Sequence, residues 1–286
     1  MGRIEETSGF TDVQFAKARD LVEKCNTNDS LDYLHLTKEM NSYGHHFQFY
    51  DGHILAGLLT FPFNGSTQIA DPEAYEVVAP AYRRRGVGRE LINAAKEYCG
   101  KIGVNSFLLV CEDGVEAGRA FVRAVGGEFS RSELRMKLTE RPRKLSGFAV
   151  QLRQVEFADL DLLSRLFSNV FESPVESHLQ RLNRDLRSTN HRFYVASLTE
   201  KAVGCIGVVS EDRRVYVIAF GVLAQYRRHG YGRQILTQTL NGLISENWDE
   251  IFIETESTNR IALSLYESCG FRQRTSYNYY TIISTD

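Results

Sequence analysis

Two short segments combine residue types whose joint chemistry is specific. Tyr82-Arg83-Arg84-Arg85-Gly86-Val87-Gly88-Arg89 recurs as Tyr226-Arg227-Arg228-His229-Gly230-Tyr231-Gly232-Arg233, at an offset of 144 (227 − 83). Each copy follows an apolar strand pattern and opens a helical one, so unpaired backbone N–H groups and the positive end of a helix dipole converge on one point, a place for an anion. Glycine lets a phosphate come close to the backbone and adopts positive φ without steric cost. The spacing matches neither GxxxxGK[ST] nor GxGxxG, which argues against a nucleotide P-loop and a dinucleotide site. Later in the chain Glu254 and Glu256 share one face of a strand by period two, and Tyr266 stands at helical spacing from Ala262. Taken alone, the glutamates read either as proton-transfer groups or as a solvated strand face, and the tyrosine reads as a core aromatic.

The elements that must position these residues are clearest in the second half. Phe148, Val150 and Leu152 alternate as a strand, Leu160, Leu163, Leu166 and Phe167 mark a helix, and Ser173-Pro174 with Glu176 opens another. Strands over 192–198, 203–210 and 215–223 lead into the glycine motif. Beyond it the pattern predicts a helix over 231–247, a strand over 250–256, a helix over 259–268 ending at Gly270, and two terminal strands, around Phe271 and over 278–283. The first half repeats the order with a helix over 15–25, strands over 47–50 and 54–63, a motif helix over 86–101 and a strand over 107–111. Its initial strand is expected to be absent or supplied by the other half. Upstream of the motif, Ala56-Gly57 matches Val203-Gly204 at an offset of 147 (204 − 57). The polar stretch from Thr139 to Lys144, with Pro142, is the expected linker. The pattern is a tandem duplication rather than a barrel, with domains 1–143 and 144–286.

Composition narrows the function classes. Hydrophobic residues make up 43% of the 286, charged residues 24%, and there are only 5 prolines, as in an ordinary globular chain that buries a sizeable core. The net charge of −2 is split evenly, so neither half has the basic excess that phosphate-backbone binding needs, and no nucleic-acid partner is expected. Apolar runs fall far below the roughly 20 residues that span a bilayer, and the first ten residues lack a secretory pattern, so the expectation is a cytoplasmic protein with no membrane partner. The 5 cysteines, Cys25, Cys99, Cys111, Cys205 and Cys269, form no CxxC, and the 7 histidines form no HExxH, so no metal is expected.

On the glycine loops together with Asn259-x-x-Ala262-x-x-Leu265-Tyr266-x-x-x-Gly270-Phe271, the chain resembles the GNAT superfamily of N-acetyltransferases. That family's fingerprint is a strand, an R/Q-x-x-G-x-G/A loop for the pyrophosphate of acetyl-coenzyme A, a helix, a strand, and N-x-x-A-x-x-L/F-Y-x-x-x-G-F. Ala224 stands where the family frequently has a proline. The first half keeps Val78-Ala79-Pro80 and the loop, but has Val115 and Val122 at the positions of Asn259 and Tyr266. The segment from Ile253 to Asn259 and the closing Asn278-Tyr279-Tyr280 are similar to the ribosomal-protein alanine N-acetyltransferases, one GNAT family.

The resemblance implies an α/β (mixed α+β) fold of two tandem GNAT (acyl-CoA N-acyltransferase) domains, each a mostly antiparallel central sheet flanked by helices. It implies transfer of an acetyl group from acetyl-CoA to a primary amine by direct attack. Tyr266 would give a proton to the departing sulfur and Glu254 would take one from the amine. It assigns Phe220, Gly221, Val222, Arg227, Arg228, His229, Gly230, Tyr231, Gly232, Arg233 and Asn259 to acetyl-CoA, and in the first half Val78, Arg83, Arg84, Gly86, Gly88 and Arg89. Because Val110 occupies the Glu254 position and Val122 that of Tyr266, the first domain is expected to be degenerate and the second catalytic. The alternatives are a non-catalytic acyl-CoA-binding or regulatory protein, and an amine acyltransferase using another acyl-CoA. Cys269 is read as packing rather than as an acyl carrier. The acceptor is a small-molecule amine, as the tandem layout suggests, or a peptide N-terminus, as the closing Asn-Tyr-Tyr suggests, and the sequence does not choose between them. Tyr33, His35, His45 and His46 in one half and Phe171, Glu176 and His178 in the other are read as lying on the first helices and their loops, where the acceptor is chosen. The chain is a monomer or a homodimer.

Overall fold

A computed structural model of the chain describes residues 2–37, 40–41, 44–62 and 72–284. Contacts divide it into two compact units, Met1–Ser132 with Thr275–Asp286, and Glu133–Arg274. In the first unit β1 (Arg3–Thr7), α1 (Asp12–Asp29), β2 (His45–Asp51), β3 (Ile54–Phe61), β4 (Glu73–Val78), α2 (Val87–Lys101), β5 (Ser106–Glu112) and α3 (Glu116–Ala124) follow in order. Next comes β6 (Glu128–Leu138), whose residues from Glu133 onward belong to the second unit. There β7 (Gln151–Gln154), α4 (Leu160–Phe171), α5 (Val175–Asp185), β8 (His191–Leu198), β9 (Lys201–Glu211), β10 (Arg214–Val222), α6 (Tyr231–Ser245), β11 (Glu250–Glu256) and α7 (Arg260–Ser268) repeat the order. The last strand, β12 (Phe271–Ile283), enters the first unit from Thr275.

Each unit holds one mostly antiparallel sheet flanked by helices, as the resemblance implies. In the first the order is β1-β2-β3-β4-β5-β12, with β4 and β5 parallel and the other neighbours antiparallel. In the second it is β7-β8-β9-β10-β11-β6, with β10 and β11 the parallel pair. Helical periodicity explains the covering layers. Ile235, Leu236, Leu240 and Leu243 on α6 are buried, and pack with Val215, Val217, Ile251, Ile253 and Tyr266 over one face of the second sheet. Leu163, Leu166, Phe167 and Val170 on α4 cover the other face with Phe193 and Val195. Removing one such buried leucine side chain costs about 2–5 kcal/mol.

The structure corrects several expectations. The initial strand of the first half is present: Arg3–Thr7 pairs antiparallel with β2 in the first unit. It reads poorly because it is an edge strand carrying Arg3, Glu5 and Glu6, and edge strands tolerate charge where inner ones need alternation. The two terminal strands are one, Phe271–Ile283, and the strand expected from Phe148 begins at Gln151. Phe63, expected in a strand, lies outside the described residues.

The halves also exchange strands. Glu133–Lys137 of β6 pairs with Glu256–Phe252 of β11, and Tyr277–Ile283 of β12 pairs with Glu112–Ser106 of β5. The compact units and the sequence halves therefore contain different residues. A polypeptide of residues 133–274 is expected to melt as one cooperative unit by circular dichroism, whereas 144–286, lacking the strand that covers β11, is expected to melt well below the full chain. Equal cooperative melting of 144–286 would refute the exchange.

Candidate active site

The two glycine loops have nearly the same backbone. Arg83 and Arg227 are extended (φ −66° and −67°), Arg84 and Arg228 are left-handed (φ 63° and 64°), and Gly86 and Gly230 are left-handed again (φ 89° and 79°) where α2 and α6 begin. A left-handed arginine costs of order 1–3 kcal/mol, and both loops keep one, in a turn whose successive N–H groups can face an anion. Neither helix has a side-chain cap at that end, so its first N–H groups are left for a ligand. The first arginine of each loop acts as a brace: Arg227 Nε donates to Val222 O at 2.9 Å and Arg83 Nε to Val78 O at 3.0 Å. Arg228 and Arg233 are exposed at the second loop, and His229 stacks on Tyr231 with ring centroids 5.6 Å apart. A methyl on Gly232 would stand 3.4–3.7 Å from Leu265, Phe220 and Val222, so the glycine leaves a shallow cradle between loop and strand.

The parallel pair in the second unit parts beside this cradle. Pairing of β10 with β11 ends at Val217 opposite Ile253. On its other side β10 is bulged: Ile218 faces Gly207 but Gly221 faces Cys205, with Ala219 at φ 48°. The bulge turns Phe220-Gly221-Val222 away from the regular ladder, as bulges beside functional sites do. Gly221 passes under α4, where a methyl would overlap Val170 Cγ1. In the first unit the matching strand is regular, with Gly57, Leu58, Leu59 and Thr60 opposite Val78, Val77, Glu76 and Tyr75.

Tyr266 is delivered by α7, whose N-terminus is capped by Asn259: Oδ1 accepts from Ala262 N at 3.1 Å. That places the tyrosine ring 6.2 Å from both Phe220 and Phe271. Burial pushes its hydroxyl up to about 12, so the phenol keeps its proton at neutral pH. In α3 the capping position is Val115, with no side-chain bond. Cys269 is 1% exposed and burial raises its thiol, in keeping with packing.

Glu254 lies on β11 with Phe252, on the face opposite Ile251 and Ile253, which pack in the cluster of Tyr266. The two candidate proton-transfer residues therefore stand on opposite sides of the strand at its splayed end. Glu254 Oε1 accepts from Arg135 Nε at 2.6 Å, and the carboxylate side chain remains 37% exposed. Nothing in the sequence pointed to Arg135, because it comes from the first half. The acceptor-side residues divide. Phe171 ends α4 beside Gly221, Ser173 Oγ lies 2.6 Å from His178 Nε2, and Glu176 is exposed in the first turn of α5. His45 and His46 are not on an acceptor loop: both are buried in β2, His45 against Tyr98 and Glu6, His46 against Thr60. Burial lowers His46 to about 4.

The first unit contains a cavity of about 570 Å³ lined by Val78, Arg83, Arg84, Gly86, Gly88 and Arg89 of its loop and by Val110, Phe121 and Val122. Glu76, at the position of Phe220 (220 − 144), sets its carboxylate against Gly88; its Oε2 is shielded and has no hydrogen-bond partner. Burial pushes this carboxyl well above the usual carboxylate range. Tyr33, which follows α1, bridges the splayed strands: its hydroxyl donates to Val110 O on β5 at 2.5 Å and accepts from Glu76 N on β4 at 3.4 Å. Two nitrogens of Arg83 are held by Asp29, at 2.8 and 2.6 Å. Glu73 and Glu76 both lie in this strand, so no contrast in residue type singled Glu76 out in the sequence.

Among the described residues no group of three or more histidine, cysteine, aspartate or glutamate side chains could hold a metal, and no helix is long and apolar enough to cross a membrane. The model of the acetyltransferase (GNAT) family matches twice, over residues 15–126 and 160–271. The human protein named N-alpha-acetyltransferase 30 is 35% identical over 94 residues, which span 30% of this chain and only 26% of that protein. An N-alpha-acetyltransferase of Sulfolobus acidocaldarius is 25% identical over 151 residues, 48% of this chain and 88% of its own length. Two solved structures share the fold across nearly the whole length. A GCN5-related N-acetyltransferase from Sphaerobacter thermophilus has TM-score 0.76 at 13% identity, covering 99% of this chain and 96% of that one. A tandem GNAT protein from the clavulanic acid biosynthesis pathway has TM-score 0.75 at 15% identity, covering 100% and 99%. With both glycine loops, both splayed strand pairs and two family matches in register, the chain belongs to the acetyltransferase (GNAT) family, in tandem form.

Proposed function

We propose that this protein is an acetyl-CoA-dependent N-acetyltransferase that carries out transfer in its second unit. The observation that carries this is the bulged, splayed β10 with the buried Tyr266 phenol beside Phe220 and the nest at Gly230-Tyr231-Gly232. Acetyl-CoA supplies the activated thioester. Arg228, His229, Arg233 and the free N–H groups of α6 hold its phosphates, and the Phe220-Gly221-Val222 backbone runs along its pantetheine arm. The acceptor amine attacks directly, without an acyl-enzyme: its nitrogen bonds to the acetyl carbon while the carbon–sulfur bond breaks. Glu254 takes the proton from the nitrogen, and Tyr266 gives one to the sulfur.

The acceptor we propose is a primary amine, and the printed names of the relatives support a peptide N-terminus. Strand exchange removes one argument for it. Tyr279 lies opposite Val110, and Arg135 is the residue opposite Glu254. The closing Asn278-Tyr279-Tyr280 therefore belongs to the first unit.

A second reading applies to the first unit, where the cavity and the Tyr33 bridge favour a groove that holds acyl-CoA without transferring from it. Val110 and Val122 offer neither base nor acid, and Tyr33 bridges the two strands where they part.

With amines and peptides screened by release of coenzyme A thiol, Tyr266→Phe and Glu254→Gln are each expected to lower kcat/KM by at least about a hundredfold. Full activity in both would exclude second-unit transfer as drawn. Because the phenol lies near 12, activity is expected not to fall between pH 7 and 9 through loss of the Tyr266 proton; a wild-type alkaline limb in that range that vanishes in Tyr266→Phe would contradict it. Calorimetric titration of the Tyr266→Phe chain with coenzyme A is expected to give two bound molecules, falling to one with Arg84→Glu and Arg89→Glu; one site in both would dismiss the second reading.

A further inference from the structure

The surroundings of Glu254 include a cation that the second half of the sequence does not encode. Residues Glu133–Leu138 complete the second unit, and their antiparallel register sets Arg135 directly opposite Glu254. The Arg135 side chain is only 14% exposed, and its guanidinium lies 5.5 Å from the Tyr216 ring and 6.0 Å from that of Phe252. Those rings are themselves stacked, with centroids 5.3 Å apart. A part-buried guanidinium needs an anion to meet it, and here Nε bonds Glu254 Oε1 at 2.6 Å. The aromatic pair fixes Arg135, and Arg135 fixes one oxygen of a carboxylate that is still 37% exposed.

The other charges on this face do not replace it. Lys137 on β6 and Arg214 on β10 both bond Glu250, each at 2.8 Å. Glu256 stands opposite Glu133, like charge against like. The first unit has no matching pair, since there Tyr279 faces Val110.

We infer that Arg135 is a positioning residue for acetyl transfer: it holds the Glu254 carboxylate in one orientation, with its second oxygen turned to meet the acceptor amine. The inference rests on the reading of Glu254 as the proton acceptor. Strand exchange thus makes the second unit's chemistry depend on a residue from the first half of the chain.

The test is steady-state transfer by the full chain, with whichever amine the wild type turns over fastest. In Arg135→Gln kcat is expected to fall about tenfold or more with the KM for acetyl-CoA unchanged, and Arg135→Lys, which keeps the charge but not the fork, is expected to recover part of the loss. In a Glu254→Gln background, Arg135→Gln is expected to cost nothing further, because the carboxylate it positions is gone. Undiminished kcat in both Arg135 variants, or the same loss in the Glu254→Gln background, would overturn the inference. Should Arg135→Gln fail to fold by thermal melting, the kcat of Arg135→Lys alone decides. The reading beneath fails differently: Glu254→Gln with undiminished turnover would remove Glu254 as proton acceptor.

Discussion

Everything proposed for this protein depends on two parallel strands that cease to pair. In the second unit the ladder between β10 and β11 stops at Val217 and Ile253, and a bulge at Ala219 turns the last residues of β10 out of register with β9. Backbone groups that a regular sheet would use on each other become available at the point where the glycine loop gathers N–H donors. The bulge is held by close packing: Gly221 lies under Val170, and Gly204 lies under the Gly221 carbonyl, where a side chain has no room. Mainly local interactions of neighbouring elements, rather than one strong bond, hold the strands apart.

The same opening occurs in both units and has different consequences. In the second, Phe220 and Tyr266 face each other across it, and Glu254 stands on the far face with Arg135. In the first, β4 is regular, Glu76 replaces the phenylalanine, and the Tyr33 hydroxyl joins both strands. A duplicated fold has thus kept the same loop backbone twice, while the residues proposed for proton transfer, Glu254 and Tyr266, are matched by Val110 and Val122. The exchange of β6 and β12 couples the halves further, because each unit's sheet is finished by residues encoded in the other half.

The left-handed turns at Gly86 and Gly230 were legible in the sequence because positive φ at a loop-to-helix junction favours glycine. Tyr266 was legible through its spacing from Asn259, which caps the helix that carries it. The left-handed Arg84 and Arg228 and the bulge at Ala219 were not, since none of these is a residue whose type announces its φ. Strand exchange was invisible for a different reason. Alternation shows which face of a strand is buried, and nothing in it names the neighbour, so β12 was read as the end of its own half and Arg135 went unnoticed.

We assign transfer to the second unit, and this assignment is open to experiment. It is tested most directly by single-turnover acetyl transfer in two variants that place a carboxylate in one nest at a time, Gly230→Asp and Gly86→Asp. Each sets an anion where the phosphates would lie and strains a left-handed position. Gly230→Asp is expected to abolish transfer, and Gly86→Asp to leave its rate within about twofold of wild type. Loss with Gly86→Asp and retention with Gly230→Asp would contradict it.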